Sequence, residues 1–328
     1  MKAGFSQLLL DWYHRGHRAL PWRGVADPYR IWVSEIMLQQ TRAQTVIPYY
    51  ERFLKRFATV EALAAAAEPD VLALWSGLGY YSRARNLRRA ARQVVEGGGF
   101  PREYAGLRAL PGIGDYTAAA IASIAFGLPH AVLDGNVLRV VARVENDAAD
   151  IGAARTRERF RGIAQEWLVP LDPGGFNQAL MELGATVCLP RKPLCLVCPV
   201  ADRCRGREAG TVDRLPVKLR KTAPVRIEGV LLVVRHRGRV LLRQRDAAAR
   251  RMAGFWDLPS PEDLPEARLG KHLGAIRHTI THHHYTLAVQ SAAVDAAGPE
   301  FGWFRPAELS GIPLSTTARK ALQVAGML

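Results

Sequence analysis

Leu110 to Ala125 reads LPGIGDYTAAAIASIA, two glycines two residues apart running straight into an alanine-rich segment. Pro111 fixes the entry, and Gly112 and Gly114 dispense with Cβ atoms so that successive amides can converge on one point. Such a backbone nest at the amino end of a helix suits an anion. A dinucleotide-binding turn needs a strand before it, and REYAGLRA, residues 102–109, is not one. A hairpin between two helices that grips a nucleic-acid phosphate fits; a tight glycine turn without a ligand is the plainer alternative.

The flanking sequence is helical in pattern. PYRIWVSEIMLQQ, VEALAAAA, PDVLALWSGLG, ARNLRRAARQVVEGGG, YTAAAIASIAFG and GNVLRVVARVEN show helical spacing or helix-forming composition, and several close on glycine. Residues 1–208 are therefore expected to be all-α. Composition changes near residue 209: the segment 209–226, with two prolines and scattered charge, reads as an interdomain linker. Beyond it RIEGVLLVVRHRGRVLLRQRD reads as two strands about a turn at Gly238, YTLAVQSAAVD as another strand and TARKALQVAG as a final helix. The segment 227–328 is expected to be an α+β domain.

The 328 residues suffice for two cores, and 48% hydrophobic with 23% charged residues excludes disordered and fibrous classes. No apolar run approaches the ~18–20 residues of a membrane span. Asp11, His14, Arg15 and Arg18 occupy the place of a signal-peptide core, so the expected compartment is the cytoplasm or the nucleoid within it. A net charge of +15 favours a polyanion partner, because binding phosphates releases condensed counterions. A generally basic proteome would give the same balance.

All four cysteines lie in CLPRKPLCLVCPVADRC: Cys188, Cys195, Cys198 and Cys204, spaced C-x6-C-x2-C-x5-C. Clustered thiols in a cytosolic chain point to metal rather than disulfides. Four thiolates suit tetrahedral zinc or a 4Fe–4S cluster; zinc sites favour two close knuckles, and only one is present, so the spacing leans towards iron–sulfur. A site closed by four thiolates offers no open coordination position, which makes it structural.

Two carboxylates stand out. In IWVSEIMLQQT, Glu35 shares a helical face with Ile31 and Leu38. Such a group is either salt-bridged or an acid whose pKa desolvation raises until it can donate a proton near neutrality. In VLDGNVLRV, Asp134 precedes a helix starting near Asn136, where a plain N-cap is the simpler reading. GLGYYSRARNLRRAARQ joins paired tyrosines to Arg85, Arg88, Arg89 and Arg92, as a phosphate track with a wedging ring would, or as a solvated face.

Together these segments resemble the helix-hairpin-helix DNA glycosylases, and within them the MutY-type adenine DNA glycosylases. LPWRGVADPYRIWVSEIMLQQTRAQTVIPYY, GLGYYSRARNL, LPGIGDYTAAAI, VLDGNVLRV and the cysteine loop follow in the family's order. The resemblance implies a monomeric enzyme that hydrolyses adenine from adenine:8-oxoguanine mispairs in duplex DNA and carries a 4Fe–4S cluster on the four cysteines. It makes Glu35 the acid that protonates the purine N7 and Asp134 the carboxylate that steadies the oxocarbenium-like sugar, a division of labour that glycosidic cleavage needs in general. Tyr116 and Asn136 match residues lining the sugar. Where bifunctional relatives such as endonuclease III carry a Schiff-base lysine, this chain has Tyr116, which implies base removal without strand cleavage. Trp22, Arg23 and Glu182 match the adenine pocket; Gln40 and Tyr80 match residues that enter the base stack.

The C-terminal domain is similar to the family's Nudix-like lesion-recognition module. GFWDLPS, residues 254–260, resembles the strand and turn before a Nudix box, but no REXXEE helix follows, so the ligands of a pyrophosphatase metal are missing. Ile280, Thr281 and His282 lie where the family has a Phe-Ser-His loop against the lesion, a departure at two of three positions. Three successive histidines, 282–284, make a poor metal site because neighbouring strand side chains diverge.

Overall fold

The computed structural model describes the whole chain except residues 1, 220–222, 247–248 and 250–251. The chain divides into two compact units, residues 1–64 with 89–221, and residues 65–88 with 222–328. The second grouping gathers a stretch that the sequence places with the N-terminal region.

The helices in chain order are α1 (Lys2–Arg15), α2 (Pro28–Leu38), α3 (Ala43–Arg56), α4 (Val60–Ala65), α5 (Glu68–Trp75), α6 (Ser82–Glu96), α7 (Tyr104–Ala109), α8 (Asp115–Phe126), α9 (Gly135–Val144), α10 (Ala154–Trp167), α11 (Pro173–Thr186) and α12 (Arg205–Glu208). No strand precedes residue 225 among the described residues. In the first unit α8 is a central rod: Thr117 to Ser123 are all buried, and its alanines let α2, α7 and α11 pack closely around it. The core joins Phe5 and Leu9 of α1, Val137 and Val141 of α9, Phe160 of α10 and Leu180 of α11. Gly184 marks the tightest approach, since a Cβ there would stand 2.5 Å from that of Asn136. That bare backbone brings α11 against the start of α9.

Part of the stretch read as linker is fastened to this unit. Val217 O accepts from Ile151 N at 3.0 Å, and Val212 O and Leu215 O accept from Arg143 Nε at 2.9 and 3.0 Å.

The second unit holds a mixed sheet of β1 (Val225–His236), β2 (Arg239–Gln244), β3 (Trp256–Asp257), β4 (Arg268–Ile280), β5 (His283–Ala293) and β6 (Phe301–Phe304). Its order is β3-β2-β1-β5-β4, with β6 also on β2; β1 and β5 run parallel and the other pairs antiparallel. Leu231 to Val234 are buried consecutively, because both faces of β1 are covered. One face packs on α13 (Thr316–Val324) through Val233, Ile276, Val289 and Leu322, the other gathers Leu232, Val234 and Leu264. β4 has no counterpart in the sequence reading. Gly270 and Gly274 sit in it, and register shifts at Leu269/His272 and His272/Gly274 break the alternation that betrays a strand. No helix among the described residues is long and apolar enough to cross a membrane.

Candidate active site

Three chemistry-bearing side chains from three helices meet in the first unit. α2 starts cleanly, with Asp27 accepting from Tyr29 N and Pro28 in the first turn, and Glu35 lies within its consecutively buried run Ile31–Met37 at 5% exposure. α8 delivers Tyr116, whose hydroxyl donates to Glu35 Oε2 at 2.5 Å and also lies 3.2 Å from Met181 Sδ. α9 begins at Asp134, whose Oδ1 accepts from Val137 N at 2.7 Å while Oδ2 accepts from Asn136 Nδ2 at 2.8 Å. Asp134 is thus the N-cap, and its charge acts on both Glu35 and Tyr116.

Burial dominates the electrostatics. It raises the pKa of Glu35, the nearby negative charge of Asp134 adds to this, and the Tyr116 hydrogen bond and the Arg23 charge oppose it. Burial also raises Asp134, against the N–H groups of Val137 and Asn136 and the charge of Arg139. Tyr116 is pushed well above the usual tyrosine range by burial and by both carboxylates. Asp134 therefore receives two N–H donors that favour its anion, and Glu35 a single hydroxyl.

A second buried glutamate has the opposite fate. Glu182 of α11, 1% exposed, accepts from Arg18 N, Nε and Nη2 at 3.2, 2.7 and 2.8 Å and from Arg23 Nη2 at 3.1 Å. Burial alone would push it up, but the Arg18 hydrogen bonds and charge, with Arg23, hold its pKa below the usual value. Arg23 also donates to Gln178 Oε1 at 2.6 Å and Tyr13 Oη at 3.0 Å. Trp22 is buried, edge-on to Tyr50. Sequence reasoning missed Arg18, Gln178 and Arg139. Arg139 stands on the inward face of α9, three residues after Asn136, and bonds Asn136 Oδ1, Gly184 O and Cys188 O at 2.8, 2.6 and 2.7 Å. An arginine on a buried valine-rich face is a signal that could have found it.

The hairpin needs one correction. Gly112 is left-handed (φ 78°), as a nest requires, but Gly114 is an ordinary extended N-cap (φ −94°, ψ 179°). A Cβ on Gly114 would meet nothing within 4 Å, so no protein contact requires glycine there; its absence leaves bare surface over the helix start.

Gln40 stands exposed just past α2 in a left-handed conformation (φ 59°). The arginines of α6 differ from a free phosphate track: Arg85 Nε donates to Glu68 at 2.7 Å, and Arg88 and Arg92 donate to Ala66 O and Ala64 O. In the second unit Tyr80 is also left-handed (φ 49°), with its ring exposed. Thr281 (φ 55°) and His282 form the tip between β4 and β5; Thr281 Oγ1 donates to Ile280 O at 2.7 Å and lies 3.3 Å from His282 Nδ1.

Cys188, Cys195, Cys198 and Cys204 line one cavity with Val140 and Arg143. Arg143, 1% exposed, donates to Leu189 O and Pro190 O at 2.6 and 3.3 Å and reaches Cys188 Sγ at 3.3 Å; no carboxylate pairs with it among the described residues. A buried guanidinium answering only carbonyls and a thiol supplies the positive charge that a four-thiolate cluster needs. The donor set therefore fits such a group.

Three family models match: HhH-GPD superfamily base excision DNA repair protein over residues 33–166, iron-sulfur binding domain of endonuclease III over 188–204, and NUDIX domain over 229–324. Adenine DNA glycosylase of Homo sapiens is 35% identical over 402 residues, covering 98% of this chain and 73% of the relative. The chain belongs to the adenine DNA glycosylase family. The Mus musculus member is 36% identical over 98% of this chain and 77% of its own. The structure of a thermostable thymine-DNA glycosylase superposes with a TM-score of 0.56 at 29% identity, covering 63% of this chain and 97% of that one. As a family member the chain is a DNA N-glycosylase acting in base excision repair, with a helix-hairpin-helix domain, a 4Fe–4S cluster on the cysteine loop and a Nudix-like domain. The four cysteines that would hold the cluster follow α11 and precede α12.

Proposed function

We propose that the enzyme excises adenine opposite 8-oxoguanine in duplex DNA and stops at the abasic site. The observation that carries this reading is the Glu35–Tyr116–Asp134 constellation: a buried carboxyl raised by desolvation, hydrogen-bonded to a phenol and near a second carboxylate that accepts from two N–H donors. Glu35 hands its proton to N7 of the everted adenine; the C1′–N9 bond breaks and its electron pair leaves with the purine. Asp134 steadies the cationic sugar, and by transient capture of C1′ holds it until water attacks C1′, freeing the Asp134 carboxylate and passing its proton to the Glu35 carboxylate. Asn136 orients Asp134. Trp22, Arg23 and Glu182 line the adenine pocket, with Glu182 held ionised by Arg18 so that it accepts from the purine. Extruding the base costs a few kcal/mol, which Gln40, Tyr80 and phosphate contacts at Gly112 and Gly114 offset.

Tyr116 has no amine, and its raised pKa keeps it a hydroxyl donor, so no Schiff base forms at that position. The Nudix-like domain reads the opposite base through Thr281 and His282. The same reading makes the enzyme a cytoplasmic, nucleoid-associated monomer. Single-turnover excision from adenine opposite 8-oxoguanine, guanine and thymine tests it, with breaks revealed by hot alkali. Fastest release opposite 8-oxoguanine, alkali-dependent breaks and no borohydride-trapped adduct are expected; strong trapping, or equal rates opposite all three bases, contradicts it.

A further inference from the structure

Residues 65–88 fold as one compact unit with residues 222–328, and the contacts that join them converge on a single loop. Between α5 and α6 the chain runs Ser76-Gly-Leu-Gly-Tyr-Tyr81, with Gly77, Gly79 and Tyr80 at φ values of 108°, 72° and 49°. A left-handed tyrosine is a disfavoured conformation that persists only where surroundings enforce it. The enforcement comes from the C-terminal segment. Tyr81, 6% exposed, sets its ring centroid 4.0 Å from that of Phe255, which is fully buried. Its hydroxyl lies 3.5 Å from Thr316 Oγ1 and 3.4 Å from Gly77 N. Ser76 Oγ donates to Leu314 O at 2.7 Å and accepts from Arg319 at 3.3 Å, and Arg85 donates to Ala253 O at 2.5 Å. From the flanking helices, Trp75 Nε1 of α5 and Arg83 Nη2 of α6 hold Gly79 O at 3.2 and 3.1 Å. Adjacent tyrosines therefore do opposite things: Tyr81 is anchored, and Tyr80 is left 41% exposed with the Arg83 guanidinium 5.5 Å from its ring centroid.

We propose that Tyr81 and Phe255 are positioning residues for Tyr80, so that the Nudix-like domain itself presents the ring that enters the base stack. Tyr80 and the Thr281–His282 tip then belong to one body, and the response to the base opposite adenine passes through Phe255, a side chain too buried to touch DNA. The proposal rests on the reading of Tyr80 as a stack-entering residue.

The test uses Tyr80→Ala, Phe255→Leu and the double variant. In a Glu35→Gln background, which holds DNA without turnover, a 2-aminopurine stacked beside the base opposite adenine reports unstacking as a rise in fluorescence at saturating protein. In the Glu35 background, single-turnover rates opposite 8-oxoguanine and guanine give a discrimination ratio. Tyr80→Ala is expected to abolish the rise, and Phe255→Leu to cut it at least threefold and lower the ratio similarly. On the Tyr80→Ala background, Phe255→Leu should leave the ratio unchanged. Tyr81→Leu should copy Phe255→Leu from the other side of the contact, and serves if Phe255→Leu does not fold. A ratio that falls by the same factor with and without Tyr80, or a full fluorescence rise in Phe255→Leu and Tyr81→Leu, overturns the proposal. If Tyr80→Ala itself keeps the full rise, the reading of Tyr80 as stack-entering fails first, and that result is distinct from the others.

Discussion

Glu35 and Glu182 are both almost completely buried glutamates of the same helical unit, yet their proton affinities move in opposite directions. Burial raises both; only Glu182 is met by enough positive charge, from Arg18 and Arg23, to reverse the effect. Glu35 is met by a neutral hydroxyl and sits near another carboxylate. Depth decides that a carboxyl will be perturbed, and its partners decide which way. A site that must both donate a proton to a purine and accept hydrogen bonds from it needs one group of each kind.

The contrast can be broken at several points. Glu35→Gln removes the donor while keeping the shape, so base release should fall by about a hundredfold to ten-thousandfold in single-turnover assays, with duplex binding retained. Because the folded pKa of Glu35 is raised, its contribution to stability is full below the ordinary glutamate value and is lost as pH rises through the folded one. Glu35→Gln should therefore increase Tm at pH 7 and change it little near pH 4. Glu182→Gln should act in the opposite sense. The lowered pKa of Glu182 gives stability that is present above the unfolded value and lost as pH falls through the folded one. Its replacement should cost about 2–3 kcal/mol at pH 7 in denaturant melts, less than a fully buried pair because Arg18 is 39% exposed, with the loss shrinking below about pH 4.

Two smaller effects sharpen the picture. Tyr116→Phe removes a hydrogen bond that favours ionised Glu35, so the alkaline limb of the pH–rate profile should move to higher pH, with about a tenfold change in maximal rate or less. The hairpin glycines should separate. Gly112→Ala forces a side chain into a left-handed backbone and should cost about 1 kcal/mol of stability. Gly114→Ala should leave Tm unchanged and weaken duplex binding in a titration, because its Cβ would meet no protein atom.

Much of this site is legible in local sequence, because helical spacing is local. Asp134 before GNV announces a helix start that the structure shows capped by that same carboxylate, whereas α2 is buried all round from Ile31 to Met37 with Leu38 half-buried, so the spacing of Ile31, Glu35 and Leu38 marks no single inward face. What stays hidden depends on contacts distant in the chain. The partner that keeps Glu182 ionised is 164 residues away, and nothing near Arg18 marks it. The grouping of residues 65–88 with the C-terminal half rests on Tyr81 against Phe255 and Ser76 on Leu314, which no composition shift signals. The arginines of α6 read as a phosphate track or a solvated face, and neither reading anticipates that Arg88 and Arg92 bond the carbonyls of Ala66 and Ala64. β4 escaped because glycines and register shifts erase the period on which strand reading relies.

Burial should keep Glu35 protonated where an ordinary glutamate, with a pKa of about 4.3, has lost its proton. Infrared difference spectroscopy of the unaltered enzyme against Glu35→Gln, titrated upward from that value, tests this most directly. A protonated carboxylic acid C=O band that is present in the first and missing from the second is the expected result. A carboxylate band in its place would show Glu35 ionised in the resting enzyme and contradict the account.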